Sequence, residues 1–231
     1  MRRTDLLLIS TFQVVLLLTV CNAFAQEDTS RIRDANSSHL FIAPTARSLP
    51  ADSGYINLAG IIFPNFGYGI TDEFMVRGGL TPIVIDGHLL YFGLASLQVA
   101  HYGDLDISGG IILTDLTGYS RHWENTLYGF GIISYGSDDL SVHAGFGGGY
   151  SGARESNSAV FMLGAEWKIA RTTKIITENW IIPESGSSVY SLGVRIYGKS
   201  LIGELGAVVI TTNSNLTVGA IVPWLGLTFV L

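Results

Sequence analysis

Cysteine, charge and long apolar runs are all scarce in this chain, and each shortage excludes something. The only cysteine, Cys21, lies in an N-terminal stretch that reads as a targeting segment. The rest of the chain therefore offers neither disulfides nor thiol chemistry. Charged residues make up 14% of the 231 residues, against roughly 25% in an ordinary soluble domain. Beyond the N-terminus no apolar run reaches the ~18 residues that a transmembrane helix needs. Basic residues are few: removing Arg2, Arg3 and Asp5 from 13 basic and 19 acidic residues leaves a net charge near −7, which argues against nucleic acid. His39, His88, His101, His122 and His143 show no metal-ligand spacing. The Gly-rich run GFGGGYSG at 145–152 follows no strand-to-helix pattern and is no phosphate loop. Neither a metal nor a cofactor is expected.

What the chain does have is apolar residues (48%) and 28 glycines. A hydrophobic chain without spanning helices satisfies its backbone in lipid as a closed barrel. Glycine weakens helix interiors but suits turns and tightly packed walls. Residues 1–25 carry the marks of a signal peptide: Arg2 and Arg3, an apolar core from Leu6 to Val20, and Ala23-Phe24-Ala25 as a small-x-small cleavage site. Residues 26–38 are polar and read as a flexible periplasmic lead-in, leaving 39–231 for the barrel.

The end of the chain, LTVGAIVPWLGLTFVL, shows the barrel pattern best. Leu225, Leu227, Phe229 and Leu231 alternate with Gly226, Thr228 and Val230, a period of two with one large oily face. In a membrane barrel that face meets lipid. Similar strands are expected at 39–43, 54–70, 74–83, 88–102, 104–116, 123–136, 139–150, 158–170, 172–183, 188–198, 200–212 and 217–231. Pro64 makes 54–70 either one bent strand or a tight hairpin. Counted as one, it brings the total to about twelve, an antiparallel up-and-down transmembrane barrel; ten follows if 39–43 is not in the wall and one other strand is misplaced. With an even count both ends lie in the periplasm, so 45–53, 84–87, 117–122, 151–157, 184–187 and 213–216 face outward. The tight turns at 71–73, 103, 137–138, 171 and 199 then face the periplasm.

Alternation also sorts the charges. Phe161, Leu163, Ala165, Trp167 and Ile169 oppose Glu166 and Lys168; Tyr190, Leu192, Val194 and Ile196 oppose Arg195; Leu205, Ala207 and Val209 oppose Glu204. A charge facing lipid near the midplane costs about 2–4 kcal/mol, so Arg77, Glu166, Lys168, Glu178, Arg195 and Glu204 are expected inside. Strands are about 4.8 Å apart, close enough for opposite charges to meet. The set is either a selectivity lining for small solutes or an internal ion network filling the lumen. Gly129, Gly131, Gly145, Gly147 and Gly149 are also assigned inward. Tyr55, Tyr68, Phe74, Tyr102, Trp123, Tyr135, Tyr150, Trp180, Tyr197 and Trp224 lie near strand ends, as interfacial girdles do. For catalysis the one candidate is Ser141 with His143, two apart on one face, which would make a lipid-modifying enzyme. No acidic partner for them is evident in the sequence.

SSHLFIAPTARSLPADSGYINL, FGYGITDEF, TENWIIP and PWLGLTF resemble a family of uncharacterised outer-membrane β-barrel proteins of Gram-negative bacteria. The resemblance runs through nearly all of 26–231, and its most specific piece is APTARSLP at 43–50. It implies a barrel in the outer membrane and brings no substrate or catalytic residue. The final strand likewise resembles a barrel-sorting signal read by the assembly machinery, ending on Leu231 rather than an aromatic. Arg47 is placed in the first outer loop, where it can reach an inward acid. The functional expectation is a porin-like passage for small solutes among outer-membrane lipids, with a closed structural or interaction barrel as the alternative.

Overall fold

The computed structural model describes residues 34–60, 63–80, 89–117, 126–151, 154–212 and 217–231. The signal peptide assigned to 1–25, and 26–33 of the lead-in, lie outside the described residues. Among those described, twelve strands form the wall: β1 (Gly54–Ala59), β2 (Phe63–Gly69), β3 (Phe74–Leu80), β4 (Leu89–Tyr102), β5 (Leu105–Thr117), β6 (Thr126–Gly136), β7 (Leu140–Ser151), β8 (Arg154–Ala170), β9 (Thr173–Ile182), β10 (Ser187–Tyr197), β11 (Leu201–Thr212) and β12 (Thr217–Val230). Each pairs antiparallel with its sequence neighbours, and β1 closes on β12 from Tyr55↔Val230 to Leu58↔Leu227. Closure leaves no edge. β4 to β12 are 10 to 17 residues long, enough for the ~9–11 that cross a bilayer, while β1 to β3 have six or seven.

The count of twelve arises differently from the sequence expectation. Residues 39–43 are not a wall strand. They turn back on themselves inside the barrel, with a bridge between His39 and Pro44 and the Leu40 N–H donated to Ala43 O at 2.9 Å. Leu40 and Phe41 are both buried, although a wall strand exposes every second residue. Residues 54–70, in turn, are a hairpin of two strands. The chain reverses not at Pro64, which sits opposite Leu58 in the ladder, but beginning at Gly60, whose φ of 57° suits glycine. One strand is lost and one gained.

From β3 onward the strand order places the tight turns at one end, at 70–73, 103–104, 137–139, 171–172 and 198–200. Residues 45–53 are therefore not an outer loop. They run out of the lumen to the start of β1, at the same end as those turns.

The faces follow the period of two. Phe161, Leu163, Trp167, Ile169, Leu192 and Leu205 are exposed on the outside, while Met162, Glu166, Arg195 and Glu204 are buried. β6 corrects one assignment. Phe130, Ile132 and Ser134 point inward, so Gly129 and Gly131 share the outer face with Leu127, Ile133 and Tyr135; Gly145, Gly147 and Gly149 of β7 do face inward. The girdle is also thinner than expected. Tyr68, Tyr102 and Tyr135 are exposed on the outside, but Tyr55, Tyr197 and Trp224 are buried, and Trp180 lines the interior.

Candidate functional site

A twelve-stranded barrel is wider than the roughly eight strands whose side chains alone fill a lumen. Here the extra space is taken by residues 34–50. Asp34, Asn36 and Ser38 were expected in a flexible lead-in; instead the Asp34 side chain, Asn36 and Ser38 are buried within the barrel, followed by His39, Leu40, Phe41, Ala43, Thr45 and Ala46. This segment is a plug, and wall glycines make room for it. A Cβ on Gly164 would lie 2.2 Å from Leu40 Cδ1, and one on Gly193 would lie 2.9 Å from Phe41 Cζ.

The plug is held by the inward charges. Arg195, fully buried, donates from Nε to Glu204 Oε1 at 2.8 Å and from Nη1 to Asp34 Oδ2 and Glu166 Oε1, each at 3.1 Å. It also donates to the carbonyls of Asn36, His39 and Leu40. Lys174 Nζ bridges Asp34 at 3.0 Å and Glu166 at 3.4 Å. Charges this deep are tolerated only when paired and hydrogen-bonded throughout. Two cations here face three carboxylates, and three plug carbonyls complete the shell of the guanidinium.

The tip of the plug is gripped by Glu178, on the same stretch of wall and four residues along β9 from Lys174. Its Oε2 accepts the backbone N–H groups of Phe41, Ile42 and Ala43 at 2.8, 2.9 and 3.1 Å, while Oε1 accepts Trp180 Nε1 at 2.6 Å. Three successive amides converging on one carboxylate form an anion nest. Arg77 Nη1 donates to Ile42 O at 2.9 Å, and its Nε to Asn65 Oδ1. From there a buried amide chain runs through Asn57 to Thr228, which also receives Asn36 Nδ2. Apolar packing completes the seat: Phe41 meets Trp224 edge-on at 5.5 Å, and Trp224 Nε1 donates to Glu204.

The six charges assigned inward do not form one group. Arg77, Glu166, Glu178, Arg195 and Glu204 lie in the lumen against the plug. Lys168 points the same way as Glu166 but sits at the rim, opposite Lys174 in register, and pairs at 3.0 Å with the exposed Asp139 of a turn. Lys174 takes the place in the network that had been given to Lys168. It lies four residues before Glu178, so its face was readable from the period of two. Arg47 is in the lumen at the tight-turn end rather than in an outer loop. It donates to Gly136 O at 2.8 Å and faces Asp106 at 3.4 Å and Asp138 at 3.8 Å.

Ser141 and His143 do meet, Ser141 Oγ lying 3.1 Å from His143 Nε2. His143 Nδ1 is bonded to Ser134 Oγ at 2.7 Å, and that hydroxyl accepts the N–H of Ala46 of the plug. Glu166 lies 4.0 Å from Nε2. Ser141 and His143 are each 2% exposed, sealed beneath the plug, so what the group does in this conformation is tie β6, β7 and the plug together. Among the described residues no group of histidine, cysteine and carboxylate side chains is placed to hold a metal.

On the far side of the plug from the tight turns, the lumen keeps a cavity of about 300 Å³. Ile112, Phe130, Ile132, Val160, Met162 and Trp180 line it, Gly145 and Gly147 give it depth, and Pro44 of the plug forms part of its boundary.

No protein-family model and no curated protein matches the sequence. Among solved structures the chain is similar to the KdgM porin in complex with disordered oligogalacturonate, with a TM-score of 0.57 and 11% identity, over 77% of this chain and 96% of that chain. A second structure of the KdgM porin is similar over the same shares, with a TM-score of 0.56 and 11% identity. The likeness is one of fold: a closed antiparallel β-barrel of the outer-membrane kind.

Proposed function

We propose that this protein is an outer-membrane barrel that passes small solutes and is shut, in the conformation described, by its own N-terminal segment. One observation carries the reading: the ladder of the wall is complete without the plug. Residues 34–50 are bonded to wall side chains, to each other and, through Arg47, to the carbonyl of Gly136 at the end of β6, and the twelve strands close through β1 and β12 without them. Withdrawing the plug breaks no strand pairing. It would leave a passage lined by Arg77, Glu166, Lys174, Glu178, Arg195 and Glu204. In this reading those charges serve twice, as the latch of the closed state and as the lining of the open one. The exposed apolar belt of Leu163, Trp167, Leu192 and Leu205 faces membrane lipid, the tight-turn end faces the periplasm, and the last strand presents itself to the assembly machinery after the signal peptide is removed.

The test is single-channel recording of the refolded mature protein in planar bilayers. Wild type is expected to insert and stay mostly shut with brief openings, and Glu178→Gln to open more often. A second variant, Ala46→Cys with Ser134→Cys, joins plug to wall in a chain that otherwise keeps no cysteine after residue 21. Oxidised, it should insert silently; reduction should restore openings. Repeated insertion of all three without any conductance overturns the reading and favours a permanently closed barrel with a structural or interaction role in the envelope.

A further inference from the structure

We infer that the lumen cavity beside the plug is a binding site for a small uncharged apolar molecule. This goes beyond the transport reading: it assigns a ligand to a pocket beside the charged passage, not the solute that the passage carries. No charged side chain lines the cavity. The Trp180 N–H, the most obvious donor on its wall, is already committed to Glu178 Oε1 at 2.6 Å. Thr114 and Tyr128 also line it, but nearly all of the wall's exposed surface is apolar, and an ordered water needs about 2–4 polar partners. Water in this half-open pocket is therefore held weakly by its wall, and an apolar ligand can displace it at little cost. A charged or sugar-like solute would lose its hydration here with nothing to replace it.

Size narrows the class further. An engineered apolar cavity of ~150 Å³ takes one benzene. A volume of about 300 Å³ is twice that, which suits a fused two-ring aromatic or a short hydrocarbon chain of roughly ten to twelve carbons. The walls fit such a guest: Phe130 and Trp180 offer ring faces, and Met162 is an adaptable filler. The site also touches the latch. Pro44 follows Ala43, whose N–H is held by Glu178, and Trp180 is bonded to the same carboxylate. A guest against Trp180 and Pro44 thus sits one hydrogen bond from the group that grips the plug.

The experiment uses the full mature chain in lipid nanodiscs, with 1-bromonaphthalene as a quencher of tryptophan fluorescence and protein-free nanodiscs to measure partition. Saturable quenching is expected, with one site per barrel. Trp180→Phe should remove the saturable part. Val160→Phe, which fills the cavity, should weaken binding at least tenfold, and Ile112→Phe serves the same purpose should Val160→Phe not fold. Leu163→Ala, on the lipid side of β8, should change nothing. Quenching that rises linearly with the bromonaphthalene in the bilayer, equally in wild type and the filled variants, overturns the inference. The two readings fail separately: saturable binding without conductance supports this site and sinks transport, while conductance without saturable binding does the reverse.

Discussion

Arg195 is where the energetics of the lumen concentrate. It satisfies three carboxylates and three plug carbonyls while fully buried. Removing one partner of a buried ion pair typically costs about 3–5 kcal/mol, because the other charges stay buried and unpaired. Arg195→Met is therefore expected to lower barrel stability by about that amount in urea unfolding from lipid, read by the mobility shift of the folded form. The two lysines of β8 and β9 supply an internal control. Lys168 pairs with an exposed turn residue, and exposed pairs contribute about 0–1 kcal/mol. Lys168→Ala should thus be nearly silent in the same assay, while Lys174→Ala should resemble Arg195→Met in direction. An equal effect from both would mean that the rim pair at Asp139 matters more than its exposure allows.

At the scale of the element, the plug is a segment without a strand partner, packed on an inward surface shaped for it. Leu40 sits over Gly164 and Phe41 over Gly193. Gly164→Val puts two methyl groups where Leu40 lies, and overpacking of this kind costs about 1–3 kcal/mol. The strain falls on the plug, which no strand ladder holds, more than on β8, which is held by two. The expected outcome is a folded barrel whose Arg47 becomes open to trypsin, with cleavage after residue 47 much faster than in wild type. Heat-modifiable mobility on gels checks that the wall survives. A variant that lost the wall and the plug together would show that the two fold as one unit.

For the whole molecule, the prediction is an order of opening. The amides of Phe41, Ile42 and Ala43 depend on one carboxylate, whereas those of β8 and β10 are held between neighbouring strands. Locally opened segments exchange their amide hydrogens before the global structure does. Plug amides should exchange ahead of those in the wall. Glu178→Gln should speed the plug amides by about tenfold or more, since hydrogen bonds to a charged group contribute about 1.5–3 kcal/mol, and leave β10 unchanged.

Much of this arrangement was legible in the order of residues. The period of two assigned Glu166, Arg195 and Glu204 to the inside because lipid forbids the alternative, and the same rule, carried four residues back from Glu178, reaches Lys174. The wall is thus a local matter: side-chain direction, turn residues and the intolerance of lipid for charge are all written along the strand. What the strand cannot say is how wide the barrel is and what fills it. A polar stretch such as DANSSH has the same composition whether it lies in water or in a polar lumen, so 34–38 reads as a lead-in. The His39–Ala43 run alternates in neither setting, since the lumen buries it from all sides. Whether 54–70 is one strand or two, whether Arg47 lies at a loop or a latch, and whether the inward charges face water or a plug depended on closure. Closure fixes a diameter, the diameter leaves a volume, and only the folded chain determines that its own N-terminal segment occupies one part of that volume and an apolar cavity another.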